Sequence, residues 1–375
     1  MSFTKILFIS NNRIDQGFGG ERWLFEVSKR LSANHSIAIL TSDSGKIRTD
    51  FSAQLRRTGN VKVVELHHSR SSFQGVIGAP LNDIRNQMEN SDIVYIMDFP
   101  IHFYQYRSLA KNLPNVRTVR GHHTPIAVAG SQPGPNFFIR QYYRHVKPMI
   151  LRSFGRFSAH HVLTTSDRDA ISNWVKTPIF CIPNGIDTGS YFTGEKYHEP
   201  TILFLGSLDR HKGFDLLPRL IKNLYNCSPS ARVVILGDGE LKYLALELAR
   251  NHKNVTFSGF VSEKEKREIL RRSHVTLMLS RWEAFSFSTL ESLASGTPVV
   301  SFNILGPTSM IEDGKNGFIC RDMQSMTEKL SSLISMIGTE NYSLISNNAR
   351  KSSLSYDWSI VIRDIESMLS KVACS

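Results

Sequence analysis

Residues 281–291 read Arg-Trp-Glu-Ala-Phe-Ser-Phe-Ser-Thr-Leu-Glu and carry two glutamates eight positions apart. A short apolar run rich in strand-forming residues, 275–279, precedes this stretch and predicts a buried strand. Apolar residues then recur at helical spacing, and Gly296 ends the predicted helix. The sequence therefore predicts a strand-to-helix connection, with Glu283 in the loop and Glu291 about one turn inside the helix.

The N-terminus of such a helix presents unpaired backbone N–H groups, which attract anions. A carboxylate on each side of it can accept hydrogen bonds from hydroxyl groups. A ligand with both a diphosphate and sugar hydroxyls, such as a nucleotide sugar, fits this arrangement. Paired carboxylates also occur in glycoside hydrolases, but the helix N-terminus between them favours a phosphate ligand.

Glu283 and Glu291 resemble the E-x7-E motif of the retaining glycosyltransferases of family 4, the "glycosyl transferases group 1" proteins, which have the GT-B fold. Further motifs of that family occur in the same order along nearly the whole chain, at 19–22 (GGER), 122–125 (HHTP), 183–187 (PNGID), 206–213 (GSLDRHKG), 237–239 (GDG) and 311–318 (IEDGKNGF). The resemblance implies retaining sugar transfer from a nucleotide-diphosphate donor.

The composition is that of a globular protein, with 41% hydrophobic and 21% charged residues among 375. A chain of this length suits two domains that each bury a core. No apolar run reaches the ~20 residues of a membrane-spanning helix, and the first ten residues do not form a signal peptide. The four cysteines are scattered without a CxxC pair, which speaks against zinc and favours a reduced, cytoplasmic setting.

The positive charge is concentrated in one part of the chain. Residues 99–166 include nine Arg or Lys residues and no acidic residue, and such a field attracts anionic partners. Two interpretations remain: a solvated basic surface, or contact with an anionic acceptor or with the inner face of a membrane. Aromatic and basic residues are mixed over 137–157, as in interfacial helices, although aromatic stripes also occur in cores. Nucleic acid is not predicted as a partner, because no recognised binding module is present.

Strand-like and helical segments alternate along both halves, which predicts parallel sheets with helices on both faces. Strands are predicted at 6–10, 36–41, 61–66, 93–97, 116–120, 161–165, 201–205, 232–236, 255–258, 275–279, 298–301 and 317–320. Helices are predicted at 21–32, 82–90, 104–112, 136–154, 214–225, 240–251, 263–273 and 287–295.

The expected fold class is α/β, as a GT-B arrangement of two Rossmann-like domains that face a central cleft. The domains are expected at 1–187 and 188–356, because residues 184–200 have little periodicity and suit a crossover. The resemblance implies that the first domain binds the acceptor and the second binds the nucleotide sugar. It also implies that a C-terminal helix at about 357–375 packs back on the first domain.

Three places in the N-terminal half are candidate site positions. Gly19 and Gly20 precede a predicted helix, either as a plain turn or as a loop that faces the donor diphosphate. His122 and His123 follow a predicted strand and are expected to project into the cleft. The resemblance assigns the contact near the sugar 6-hydroxyl, or support of the reaction centre, to His123, with His122 as the alternative. Asn184 is either part of a structural turn or a donor contact.

Arg210 and Lys212 follow the first strand of the C-terminal half. Cations at this position can neutralise the charge that develops on a leaving diphosphate. The resembling family has an arginine directly after the motif's first glycine, where this chain has Ser207. Arg210 is the candidate replacement, and its alternative is an ordinary solvent-facing side chain.

The two glutamates receive separate roles. Glu291 is expected to accept the ribose hydroxyls, and the resemblance places Glu283 at the 3- and 4-hydroxyls of the donor sugar. The other expected donor-binding residues are Phe285, Ser286 and Phe287, whose N–H groups would hold the diphosphate, Leu290 on the helix, and Asp238 and Val261 near the nucleobase.

The resulting hypothesis is a metal-independent, retaining glycosyltransferase that needs no cofactor. It would move a hexose or an N-acetylhexosamine from a UDP- or GDP-linked donor to a glycan or lipid-linked acceptor. Two alternatives stay open: a GT-B relative such as a sugar-nucleotide epimerase or phosphorylase-like enzyme, and a non-catalytic protein that binds polyanions or membranes.

Overall fold

The computed structural model describes residues 4–10, 12–43, 45–66, 81–97, 116–124 and 157–374, without the side chains of 81–83. The chain forms two compact units. Unit 1 comprises Met1–Gly185 and Ser359–Ser375, and unit 2 comprises Ile186–Trp358. The helices predicted at 104–112 and 136–154, and most of the basic segment 99–166, lie outside the described residues.

Unit 1 contains a parallel sheet. Its strands are β1 (Lys5–Ser10), β2 (Ser36–Ser42), β3 (Val61–Leu66), β4 (Ile93–Met97), β5 (Arg117–His122), β6 (Ala159–Val162) and β7 (Ile179–Cys181). They lie in the order β3-β2-β1-β4-β5-β6-β7, and every neighbouring pair is parallel. Side chains on both faces of β4 are buried, as expected for a sheet covered on both sides by helices.

The described helices of unit 1 are α1 (Gly19–Leu31), α2 (Phe51–Arg56), α3 (Leu81–Glu89) and α4 (Thr165–Ser172). Helix α1 buries Trp23, Val27 and Leu31, which recur every four residues on the face that packs on the sheet. Helix α4 begins where the Thr164 side chain accepts a hydrogen bond from the Asp167 N–H at 3.1 Å.

Unit 2 repeats this architecture. Its strands are β8 (Thr201–Leu205), β9 (Arg232–Leu236), β10 (Val255–Gly259), β11 (Val275–Met278), β12 (Val299–Phe302) and β13 (Gly317–Cys320), in the parallel order β10-β9-β8-β11-β12-β13. Its helices are α5 (Leu217–Cys227), α6 (Lys242–Asn251), α7 (Glu263–Arg272), α8 (Phe287–Ala294), α9 (Met323–Ser335) and α10 (Glu340–Ser353). In each unit the strand order reverses beside the first strand, at β1 and β4 and at β8 and β11, as in Rossmann-like sheets.

The last helix, α11 (Trp358–Cys374), returns to unit 1. Its Glu366 carboxylate accepts a hydrogen bond from Asn34 at 3.3 Å, and the Lys371 ammonium lies 6.0 Å from the centre of the Phe180 ring. The apolar face of this helix is buried, with Ile365 and Met368 among its covered residues. The break between the units falls two residues before the boundary expected at 187.

Candidate functional site

The switch point of the unit 2 sheet brings two loops together. Strands β8 and β11 are neighbours, so the loop 206–213 and the loop 279–286 leave the same edge side by side. Ligands of open parallel sheets bind at such a point, beyond the carboxyl ends of the strands. Both loops belong to motifs singled out in the sequence.

The first loop is held by Asp209. Its carboxylate accepts a hydrogen bond from the Lys212 N–H at 2.8 Å and another from the Ser207 hydroxyl at 2.6 Å. Gly213 has a φ of 69°, and a Cβ there would lie 2.0 Å from the carbonyl oxygen of Leu279. Only glycine therefore lets this loop pack against the end of β11.

Lys212 and Glu283 meet across the two loops. The Lys212 Nζ lies 2.5 Å from Glu283 Oε1, which also accepts a hydrogen bond from the Ser280 hydroxyl at 2.7 Å. The Glu283 side chain is 8% exposed. An ammonium and a carboxylate are thus fixed side by side at the sheet edge. The structure brings these two predicted residues together and adds Ser280, which has no motif of its own in the sequence.

The N-terminus of α8 begins at a strained residue. Ser286 has a φ of 80°, and it is the one residue other than glycine with a positive φ in the described parts of the chain. Its hydroxyl caps the helix by accepting a hydrogen bond from the Thr289 N–H at 3.3 Å. Such a backbone costs about 1–3 kcal/mol and is concentrated at binding and active sites.

A glycine also lets a third loop approach Glu283. Gly306 has a φ of 89°, and a Cβ there would lie 2.9 Å from the Glu283 Cβ and 3.1 Å from the backbone of Phe285. The loop after β12 therefore packs against the connection between β11 and α8. The side chains of Phe285 and Leu290 are buried in unit 2, so only their backbone groups could contact a ligand. Phe287 is partly exposed.

Glu291 occupies a buried polar cluster. Its side chain is 3% exposed, and its Oε1 lies 2.8 Å from the Lys266 Nζ and 3.0 Å from the Tyr191 hydroxyl, which donates to it. The Lys266 ammonium also pairs with Glu263 at 2.8 Å. Sequence reasoning did not find Tyr191 or Lys266, because they lie 100 and 25 residues away from Glu291 and match no motif.

Arg210 does not join Lys212 and Glu283. Its side chain is 76% exposed, and its guanidinium lies 3.9 Å from the Asp215 carboxylate. Arg281 instead binds Asp215 through two hydrogen bonds of 2.8 and 2.9 Å, and this guanidinium lowers the pKa of Asp215. Arg281 also donates to the Arg210 carbonyl oxygen. The Arg210 guanidinium is thus largely exposed, and the Asp215 carboxylate near it is bound by Arg281.

The residues expected near a nucleobase lie on neighbouring loops. Asp238 is exposed after β9 and pairs with Lys242 at 3.7 Å. Val261 is partly exposed and directly precedes Ser262, which caps α7 with Glu265. Gly237 packs against the loop 206–213, since a Cβ there would lie 1.8 Å from the Gly206 carbonyl oxygen.

In unit 1 the two candidate glycines are already helical. Gly19 and Gly20 form the first turn of α1, two residues earlier than predicted, and the left-handed position is Gly17, with a φ of 70°. Gly19 is exposed. Glu21 is buried in the same turn, where its carboxylate accepts a hydrogen bond from Asn12 at 2.8 Å, and burial raises its pKa.

The two candidate histidines differ in their surroundings. His122 is the last residue of β5 and is buried, with its Nε2 3.0 Å from the His160 Nδ1. His122 thus lies within β5 and not after it, because β5 continues two residues beyond the predicted strand. His123 is half-buried, and its Nε2 lies 3.0 Å from the Tyr95 hydroxyl. Burial lowers the pKa of both imidazoles well below the usual value.

Asn184 is buried at the end of unit 1. Its side-chain oxygen Oδ1 has no hydrogen-bond partner among the residues that the structure describes. Buried acceptors of this kind usually have a hydrogen-bond partner.

Acid is expected to destabilise both units, because buried neutral histidines must take up protons on unfolding. Burial lowers the pKa of His161 in unit 1 and of His274 in unit 2 to about 4. Between pH 6.5 and pH 4 the unfolded chain binds more protons, so stability is complete above pH 6.5 and falls as the pH drops. For the fully buried His161 the loss by pH 4 is about 3 kcal/mol.

Urea unfolding at pH 7 and at pH 4.5 measures this loss. In His274→Asn the amide oxygen can still accept the 3.0 Å hydrogen bond from the Thr201 N–H, and the pH dependence should become shallower. Equal stability of the wild type at the two pH values would contradict the expectation.

The described residues contain neither a membrane-spanning helix nor a metal-binding group of side chains. Within the described parts of the chain, no helix combines the length and apolarity needed to cross a bilayer. Over the same residues, no group of three or more His, Cys, Asp or Glu side chains is arranged to hold a metal ion.

Two sequence models of known families match consecutive parts of the chain. The model of Glycosyltransferase Family 4 matches residues 19–190, and that of glycosyl transferases group 1 matches residues 192–352. An uncharacterized glycosyltransferase of Methanocaldococcus jannaschii is 30% identical over 178 residues, which are 46% of this chain and 45% of that protein. A phosphatidylinositol N-acetylglucosaminyltransferase subunit from Arabidopsis thaliana is 27% identical over 194 residues, 50% of this chain and 43% of that protein.

The chain thus spans less than half the length of these curated relatives. Among solved structures, that of Anabaena HepE in complex with UDP superposes with a TM-score of 0.76 at 19% identity, over 98% of this chain and 100% of that chain. At this identity the likeness concerns the fold alone. Together with the two sheets, it confirms the predicted α/β class of two Rossmann-like domains.

Proposed function

The chain belongs to the glycosyltransferases with the GT-B fold, and from that premise we propose a retaining transfer of a hexose or an N-acetylhexosamine from a UDP- or GDP-linked donor. The observation that carries the proposal is the Lys212–Glu283 pair at the switch point of unit 2, beside the capped N-terminus of α8. An ammonium and helix N–H groups suit a diphosphate, and a carboxylate suits the hydroxyls of the attached sugar.

In the proposed reaction the bond between the sugar and the diphosphate breaks as the acceptor oxygen attacks from the same face. The acceptor proton passes to the leaving diphosphate oxygen. The charge that develops on the diphosphate is neutralised by Lys212 and by the N-terminus of α8, so the transfer needs neither a metal nor a cofactor. Glu291 holds the ribose, and Lys266 and Tyr191 fix the position of its carboxylate.

Unit 1 binds the acceptor in this proposal. A glycan or a lipid-linked acceptor is supported by the Arabidopsis relative, whose name includes phosphatidylinositol. The excess of basic residues over 99–166 supports attachment to the anionic inner face of a membrane from the cytoplasm.

Calorimetric titration with UDP and with GDP tests the donor site, and one of the two should bind while the other binds more weakly. A screen of labelled nucleotide sugars against glycan and lipid extracts then identifies the acceptor, and NMR of the product determines whether the anomeric configuration is retained. Donor turnover without any acceptor would favour an epimerase, and the failure of both nucleotides to bind would refute the proposal.

A further inference from the structure

In unit 1 the Tyr95 hydroxyl stands between two histidines. Its Oη lies 3.0 Å from the Nε2 of His123 and 2.5 Å from the Nδ1 of His161. The other ring nitrogen of His161, Nε2, lies 2.8 Å from the carbonyl oxygen of Ile182. A chain of three hydrogen bonds therefore leads from the backbone at Ile182 to His123.

The aromatic and imidazole rings in this chain of hydrogen bonds are held in place by packing. Trp23 stacks on Tyr95 with ring centres 5.2 Å apart and lies 4.4 Å from the ring centre of His123. Gly121 lets the Tyr95 ring approach β5, because a Cβ there would lie 2.3 Å from the tyrosine oxygen. The positions of the donors and acceptors are thus fixed by neighbours on α1 and β5.

The proton positions follow from the Ile182 carbonyl, where the chain of hydrogen bonds meets the backbone. The Ile182 carbonyl can only accept, so the Nε2 of His161 must carry a proton and donate it. His161 is fully buried, and burial lowers its pKa to about 4, so the ring is neutral near pH 7. Its Nδ1 therefore has a lone pair and accepts the hydrogen bond from the Tyr95 hydroxyl.

The same reasoning then applies to His123. The Tyr95 hydroxyl donates its only proton to His161, so toward His123 the tyrosine oxygen can only accept a hydrogen bond. The Nε2 of His123 must carry a proton. No hydrogen bond reaches the Nδ1 of His123 from the described residues, and the residue as a whole is half-buried.

We propose that Tyr95 and His161 are positioning residues that fix His123 in the Nε2–H tautomer, so that its Nδ1 accepts a hydrogen bond from a substrate hydroxyl. This inference rests on the proposed function, which supplies a ligand rich in hydroxyl groups. It gives His123 the role of a neutral acceptor and not of a proton donor. A substrate whose hydroxyl is replaced by hydrogen or fluorine would lose this contact.

The tautomer can be observed directly on the full chain labelled with ¹⁵N-histidine. We expect the wild-type His123, assigned by comparison with His123→Ala, to show a protonated Nε2 and an unprotonated Nδ1 at pH 7.5. A protonated Nδ1 would overturn the proposal. This measurement needs no substrate, so its result is independent of whether the proposed sugar transfer occurs.

Kinetics distinguishes positioning from a general structural effect. Tyr95→Phe should lower kcat/KM for the donor about tenfold, and His123→Ala about 100-fold. If Tyr95 acts through His123, Tyr95→Phe should cause no further loss in the His123→Ala background. Equal losses in both backgrounds would overturn the proposal.

Tyr342→Phe is the matched control. It removes another buried tyrosine hydroxyl, one that donates to the His274 carbonyl at 2.9 Å in unit 2. It should change neither the His123 tautomer nor kcat/KM. If no nucleotide sugar is turned over while the tautomer is as expected, the proposed function fails and the assignment of the hydrogen-bond chain stands.

Discussion

Lys212→Ala is expected to lower kcat about 100- to 1000-fold, because it removes the cation that the proposed reaction places at the leaving diphosphate. Glu283 keeps its 2.7 Å hydrogen bond from Ser280, so the variant should still fold, with a loss of about 1–3 kcal/mol in the free energy of unfolding. The measurements are single-turnover sugar transfer and urea unfolding under the same conditions.

Lys315→Ala provides the control for this prediction. Lys315 also pairs with a glutamate, at 2.6 Å from Glu312, but this pair lies on the surface of unit 2. Its loss should change stability by less than about 0.5 kcal/mol and leave kcat unchanged. Turnover at the wild-type rate in a folded Lys212→Ala variant would remove Lys212 from the site.

Glu291→Gln should weaken nucleotide binding by about 10- to 100-fold, because a charged acceptor is lost from the proposed ribose site. It should also cost about 1–3 kcal/mol in stability, since the Lys266 side chain is 12% exposed and keeps only the Glu263 carboxylate as a charged partner. The structure thus adds a stability effect that the sequence did not predict. Calorimetry with UDP or GDP and urea unfolding measure the two effects separately.

The double variant Glu291→Gln/Lys266→Met separates binding from folding. Lys266→Met removes an ammonium that keeps only the exposed Glu263 carboxylate as its partner in Glu291→Gln, so most of the lost stability should return. Nucleotide affinity should stay low, because neither substituted side chain restores the carboxylate. A double variant that recovers both properties would show that Glu291 has a structural role only.

The strands were the most predictable part of the fold. Ile93–Met97 and Thr201–Leu205 match the predicted bounds, since parallel strands covered on both faces have continuous apolar runs. Helices α9 and α10 were not predicted, because their sequences contain many Ser and Asn residues and show weak periodicity. Strand β7 has only three residues.

The candidate site was predictable where it lies in continuous motifs, as at Lys212 and Glu283. The residues that position these groups were not. Lys266 reaches Glu291 from 25 residues away, and Tyr95 meets His161 across 66 residues. Such pairs depend on the order of strands in the sheet, and no local pattern in the sequence records that order.

The return of α11 to unit 1 has a consequence for biosynthesis. Unit 2 is one continuous segment and can fold once Trp358 has left the ribosome. Unit 1 cannot complete its fold until residues 359–374 have been synthesised. Until then the surface that α11 covers is open to chaperones and to aggregation. We therefore expect nascent chains to fold unit 2 first. A stop codon after Trp358 should destabilise unit 1, although its other residues are translated earliest.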